Sequence, residues 1–245
     1  MIILLFGAPG SGKGTQARLL SEWRGIPAIS TGEILRAECR TGSQLGQRAC
    51  TVLSGGGLLD DAAMNAMVEQ RLRQDDCRGG FILDGYPRTV SQADFLRFLM
   101  QNAGLAELEI VHLDVPDAVL IARLSSRRYC PKCERTYQPL REKRERWARC
   151  DRDGEVLMQR SDDAPDVVAR RLQAYHELTE PVIQYYQGAR YHRIDGDGEP
   201  EQVFDRIGAV MQVSAQFDRP AGPVCAKASR VSDRYCSHAD YLPVE

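Results

Sequence analysis

The chain has 245 residues, 43% hydrophobic and 27% charged, with a formal net charge of −2. That balance is ordinary for a soluble globular protein and gives no sequence-wide attraction to nucleic acid or anionic lipid. No apolar run approaches the roughly 18 residues needed to cross a bilayer, and the apolar opening Met1–Phe6 is too short for a secretory leader. The sequence therefore predicts a cytoplasmic protein with neither a membrane nor a nucleic-acid partner. Its eight cysteines are expected to be reduced there, so ligand or core roles outrank disulfides.

Taken in chain order, Met1–Phe6 is a short apolar run ending at Gly7, the pattern of a strand buried on both faces. Helical spacing follows over Lys13–Trp23, then a short strand at Ile26–Ile29. Helices are expected at Gly32–Arg40, Ser43–Leu53 and Asp60–Gln74. Phe81–Asp84 repeats the buried-strand pattern, followed by a helix over Ser91–Asn102. Ile110–Asp114 repeats it again, before Asp117–Ser125. A long helix is expected at Asp166–Tyr186, a weaker strand at Tyr191–Asp195 and a last helix at Glu201–Gln212. Strands alternating with helices imply a five-stranded parallel sheet covered on both faces. Two stretches break the alternation. Tyr129–Gln159 is rich in Cys, Arg and Pro, and residues 214–245 have the small polar composition of a poorly ordered tail.

Between the first strand and first helix stands GAPGSGKGT, Gly7 to Thr15. A phosphate needs several backbone N–H donors turned inward; the glycines permit that turn, and a helix N-terminus adds its positive end. Gly10, Ser11, Gly12, Lys13, Gly14 and Thr15 form this cradle, with Lys13 placed to neutralise terminal phosphates. A hydroxyl directly after the Lys would bind Mg²⁺ in a switch GTPase, but that place holds Gly14, with Thr15 one later. Mg²⁺ is therefore expected on phosphate oxygens and water, anchored through Asp84 at the end of a neighbouring strand.

Cys130, Cys133, Cys150 and Asp153 follow the spacing C-x2-C-x16-C-x2-D. Paired knuckles of this kind present four donors tetrahedrally and suit a structural Zn²⁺. Reduced core cysteines and a redox-sensitive pair are the competing readings, and Asp151 could rival Asp153 as fourth ligand. The stretch Pro139–Arg149 between the pairs is very basic (Arg141, Lys143, Arg144, Arg146, Arg149) and reads as a solvated face. Cys39, Cys50 and Cys77 fall in helical segments and read as small core residues. His112 reads as a satisfied core histidine, and Cys225, Cys236 and His238 match no metal spacing.

In combination these motifs resemble the adenylate kinase family over Met1 to about Val213. Gly7–Thr15 resembles its phosphate loop, Ser30–Arg36 the opening of its monophosphate site, and Asp84–Arg88 with Gln92 its central motif. The resemblance implies a core domain over 1–213 with two mobile insertions, a monophosphate-binding arm near 30–59 and a lid near 128–159. It implies transfer of phosphate from Mg²⁺-bound ATP to AMP giving two ADP, by a monomer, with Zn²⁺ in the lid. Phosphoryl transfer needs positioning and charge stabilisation rather than a covalent intermediate. Lys13, Asp84, Arg88, Arg123, Arg160 and Arg171 would supply these.

By the same resemblance Arg36, Arg88, Arg160 and Arg171 meet AMP. Thr31 and Gln92 read adenine, and Gly57, Leu58, Leu59, Gly85, Tyr86 and Pro87 complete that site. Arg123, Arg127, Thr136, Tyr137 and the backbone of Glu199 would meet ATP. A kinase for another nucleoside monophosphate, or one using GTP, is the near alternative. A nucleotide-binding or zinc-dependent interaction module without turnover is the distant one.

Overall fold

The computed structural model of the chain describes residues 1–104, 108–133, 135–138, 148–186 and 190–214. The sequence readings on the basic residues Arg141, Lys143, Arg144 and Arg146, and on the tail with Cys225, Cys236 and His238, lie outside the described residues.

Five parallel strands form the central sheet: β1 (Ile2–Phe6), β2 (Ala28–Ser30), β3 (Phe81–Asp84), β4 (Leu108–Asp114) and, numbered by chain order, β7 (Arg190–Asp195). Their order is β2-β3-β1-β4-β7. The helices are α1 (Lys13–Arg24), α2 (Thr31–Thr41), α3 (Gln44–Gly55), α4 (Asp61–Leu72), α5 (Val90–Asn102), α6 (Asp117–Ser126), α7 (Pro165–Ala174), α8 (Glu180–Tyr185) and α9 (Pro200–Ser214). A two-stranded antiparallel piece pairs β5 (Arg128–Tyr129) with β6 (Thr136–Tyr137). Among the described residues no helix is long and apolar enough to cross a membrane.

Apolar residues fill β1 without polar interruption because both its faces are covered. Ile2, Leu4 and Phe6 point into a cluster with Leu96 of α5 and Val182 of α8. Ile3 and Leu5 point the other way, against Ala17 and Leu20 of α1 and Ile207 of α9. A third cluster packs Leu120 and Leu124 of α6 against Val168 and Leu172 of α7, beside Ala8 of the Gly-rich turn. His112 on β4 is the satisfied core histidine expected: its Nδ1 lies 2.7 Å from the Tyr191 hydroxyl and its Nε2 3.2 Å from that of Tyr175.

Two expectations need correction. Cys39 and Cys50 are not separate core residues but a disulfide joining α2 to α3, their Cα atoms 5.1 Å apart; Cys77 does sit in the core. The helix expected over Asp166–Tyr186 is interrupted by a π-helical segment, Tyr175–Thr179, between α7 and α8. Pro181 has no N–H, so an unbroken α-register would lose its bond to residue 177 and crowd that carbonyl; the wider turn accommodates the ring.

Candidate active site

β1 ends at Phe6 and α1 begins at Lys13, so the intervening Gly-rich turn sits at the carboxyl edge of the sheet, where its order reverses around β1. Ligands of open parallel sheets bind at such a point. Gly12 caps α1 with φ +97°, a conformation open to glycine at no steric cost, and no side chain occupies the cap. The first-turn amides of α1 are thus left for an anion.

The ammonium of Lys13 donates to the carbonyls of Gly7 (2.6 Å) and Ala8 (3.0 Å). Burial pulls its pKa down to about 8, with Arg88, Arg171 and Arg127 adding repulsion and Asp84 opposing them. Asp84 stands level with Leu5 on the neighbouring strand. Its Oδ2 lies 3.4 Å from where a Cβ on Gly14 would be, so the carboxylate faces the turn.

Lys13 and Asp84 share one cleft of about 640 Å³ with Arg36 of α2, Arg88, Arg127, Arg160 and Arg171 of α7. Gly10, Gly12, Gly14 and Thr15 line one part of it, and Gly57, Leu58, Gly85 and Pro87 another. Burial first, and mutual repulsion after it, lowers the pKa of Arg88, Arg171 and Arg160, the last to about 10; nearby Asp side chains offset only part of this. Such a concentration of half-buried cations is complementary to polyphosphate. The Nε of Arg160 is buried with no hydrogen-bond partner among the described residues.

Other predicted residues stand behind the cleft wall. Thr31, 1% exposed, donates its hydroxyl to the carbonyl of Gly85 at 2.8 Å. Gly85 has φ +79°, and a Cβ there would come within 2.9 Å of both Thr31 Oγ1 and Arg88 Nη2. Its hydrogen atom is what lets Arg88 fold back to donate from Nε to the Gly85 carbonyl at 2.8 Å. Tyr86 is buried, its hydroxyl donating to Asn65 at 2.6 Å. Gln92 is buried too, its amide engaged by Asp61 and by the N–H of Arg88. Leu59 belongs to the core, and Ser11 lies beneath the turn with its hydroxyl unpartnered among described residues.

Besides Ser11, three predicted ATP contacts do not line the cleft. Arg123 turns to the Gly196 carbonyl (3.1 Å) and Asp197 (3.0 Å), on the loop that carries Glu199. Glu199 receives the first bond of α9 through its carbonyl. Tyr137 is buried, its hydroxyl donating to Asp151 and lying 3.1 Å from Cys150 Sγ, while its neighbour Thr136 does reach the cleft and accepts from Arg160 at 2.7 Å.

Around the β5–β6 piece, one ligand atom from each of Cys130, Cys133, Cys150 and Asp153 lies within 4.8 Å of all the others. The backbone N–H groups of Cys133 and Arg152 point at the sulfurs of Cys130 and Cys150, each at 3.4 Å. Asp151 is turned away to Tyr137 and Arg135, and Asp153 is the carboxylate grouped with the three sulfurs.

The family model for adenylate kinase matches residues 5–191. The chain belongs to the adenylate kinase family. It is 44% identical over 215 residues to an adenylate kinase of Symbiobacterium thermophilum, a match covering 87% of this chain and 100% of that relative. An adenylate kinase of Anaeromyxobacter dehalogenans is 42% identical over 204 residues (83% of this chain, 95% of the relative). One of Oceanobacillus iheyensis is 38% identical over 213 residues (86% and 99%). As an adenylate kinase the chain is an enzyme that interconverts ATP and AMP with two ADP.

Sequence reasoning missed several residues of this adenylate kinase's cleft. Asp163, 1% exposed, accepts from Arg127 Nε at 2.8 Å and Nη2 at 2.5 Å, and from Arg171 at 3.3 Å; Asp162 pairs with Arg171 at 2.9 Å. Two adjacent acids two residues before Pro165, which opens α7, were the available signal. Tyr175 and Thr179, both lining the cleft, could not have been found: they reach it from the π-helical segment.

Proposed function

We propose that the half-buried cations divide the reaction's charge between two nucleotides meeting in the cleft. Lys13 and the amides of Gly10–Thr15 hold the ATP phosphates, with Arg127 and Arg160 alongside. Arg36 and Arg88 hold the AMP phosphate. Arg160 and Arg171 face the phosphoryl group in transit, where charge spreads over its oxygens and preorganised cations are most effective. Thr136 stands near the ATP side, and Arg123 and Glu199 would join it by way of the 196–199 loop. Tyr137 supports the lid from inside. The observation carrying this reading is the convergence of Lys13 with the guanidiniums of Arg36, Arg88, Arg127, Arg160 and Arg171 on one cleft at the end of β1.

The residues fit Mg²⁺, which adenylate kinases use with ATP: Asp84 turns its carboxylate to the phosphate turn. The ion would neutralise phosphate charge, and Asp84 would orient it through water. The thiolates of Cys130, Cys133 and Cys150 with the Asp153 carboxylate fit Zn²⁺ in number, donor type and proximity, and backbone N–H groups already support two of the sulfurs. With four protein ligands its role would be to hold the lid, residues 128–159. The arm near 30–59 is supported by the packing of α2 on α3 and the disulfide between them. A monomer completes the proposal; the cytoplasmic location expected from the sequence stands against the Cys39–Cys50 disulfide, since cytoplasmic cysteines are expected to be reduced.

On the AMP side, Thr31, Tyr86, Leu59 and Gln92 shape the base pocket behind Gly57, Leu58, Gly85 and Pro87. A coupled assay of ADP formation tests the whole assignment. Lys13→Met is expected to remain folded by circular dichroism while kcat falls by roughly two orders of magnitude or more, because it removes a charge felt in the transition state. Activity within tenfold of the parent would defeat the reading.

A further inference from the structure

The amide of Gln92 is held by two partners of opposite kind. Its Nε2 donates to Asp61 Oδ1 at 2.7 Å, and its Oε1 accepts from the backbone N–H of Arg88 at 2.8 Å. A carboxylate can only accept, and a backbone N–H can only donate. With the amide reversed, its carbonyl would face the carboxylate and its NH₂ would face the N–H. Gln92 is 2% exposed, so neither mismatch could be relieved by water, and a buried polar group without a partner is costly.

Asp61 is itself fixed. Its Oδ2 accepts from the Thr89 hydroxyl at 2.9 Å, and that hydroxyl oxygen accepts from the N–H of Gln92 at 3.2 Å as the cap of α5. Asp61 opens α4. The Asp61–Thr89–Gln92 triangle thus ties two helix starts to the loop that carries Arg88 into the cleft.

We propose that Asp61 is a positioning residue that sets the enzyme's choice of purine by fixing which way round the Gln92 amide stands. The inference rests on the reading above that Gln92 faces the AMP base. Each end of the amide keeps one unused bonding site: a second hydrogen on Nε2 and a second lone pair on Oε1. Adenine offers an acceptor at N1 beside a donor at N6, which matches an amide in the orientation seen. A 6-oxopurine offers the reverse, a donor at N1 beside an acceptor at O6. Bound in the same pose, it needs the amide turned over, and Asp61 and the Arg88 N–H forbid that. Selectivity between the two purine types would therefore reside in a carboxylate that touches neither.

Asp61→Asn is the test. Asparagine can donate or accept, so it removes the carboxylate's half of the constraint on the amide while keeping size and shape, and leaves the Arg88 N–H to oppose reversal alone. The measurement is kcat/KM for AMP and for inosine monophosphate in one preparation. Their ratio does not depend on the fraction of folded enzyme, which a merely structural role would change. The ratio is expected to fall roughly tenfold or more, through a gain on inosine monophosphate, since polar mismatch at a built site carries most of such discrimination. Gln92→Ala runs beside it and is expected to lower kcat/KM for AMP. If Gln92→Ala leaves AMP use unchanged, Gln92 does not read the base and the reading beneath the proposal fails. If Gln92→Ala harms AMP use while Asp61→Asn keeps the AMP-to-inosine ratio within twofold, the role of Asp61 itself is overturned.

Discussion

A lysine held at a pKa of about 8 by burial and by three neighbouring guanidiniums makes the empty site sensitive to alkaline pH. The sign follows from linkage. Unfolding restores Lys13 to its ordinary value near 10.5, so between about 8 and 10.5 the unfolded chain carries more of this proton. Below that window the folded state bears the full cost of the buried charge; as pH rises through it, that cost disappears. Nucleotide phosphates act in the opposite direction by favouring the ammonium. ATP is therefore expected to bind with proton uptake near pH 8 and to weaken as pH rises further, by at most about tenfold per unit for one proton. Titration calorimetry in two buffers of different ionisation enthalpy reads the uptake directly. No uptake near pH 8, or its persistence in Lys13→Met, would contradict the assignment.

At the level of elements, each insertion carries its own fastening. In the proposed arm a disulfide links Cys39 to Cys50, and in the proposed lid Cys130, Cys133, Cys150 and Asp153 are grouped as zinc ligands would be. Among the described residues of the lid segment the apolar cluster is small, consisting of the buried Cys130, Tyr137, Cys150 and Leu157 with Cys133 against it. A segment with so little core gains folding free energy from a metal instead. One zinc per chain is expected by elemental analysis of protein purified without added metal. Cys150→Ser should lose it, lower the melting temperature and leave partial activity at low temperature, because most of the proposed catalytic side chains lie outside the lid. Cys225→Ser and Cys236→Ser should keep the metal. Zinc-free protein whose Cys130 and Cys133 react freely with a thiol reagent would refute the metal site.

On the scale of the molecule, the cleft exists because segments far apart in sequence cancel part of one another's charge. Asp163 joins Arg127 at the end of α6 to Arg171 of α7, and its side chain is fully buried. Asp163→Ala would leave two mostly buried guanidiniums without that partner, a loss on the order of 3 kcal/mol. The expected outcome is a lower urea midpoint, with the gap to the parent narrowing when ATP and AMP are present, since phosphates supply the missing negative charge. An equal gap with and without nucleotide would place this pair outside nucleotide binding.

The sequence by itself determined much of the sheet, because strands buried on both faces are built mainly of apolar residues: β1 and β3 were readable for that reason, and β4 by its Ile110–Asp114 run in spite of His112. It determined the phosphate turn, where glycines and a lysine at fixed spacing leave few other physical uses. It also anticipated that Cys130, Cys133, Cys150 and Asp153 would be grouped, because they are close in sequence. The tertiary structure alone decided what depends on partners brought from afar. Asp153 rather than Asp151 lies with the three cysteines because Tyr137 and Arg135 take the latter. Cys39 meets Cys50 because α2 folds back on α3. The π-helical segment before Pro181 turns Tyr175 and Thr179 to the cleft. The orientation of the Gln92 amide follows from Asp61, 31 positions away, and no local pattern encodes that contact. Periodicity and spacing report forces acting within one segment, whereas hydrogen-bond direction and buried charge pairing are set only once the segments have met.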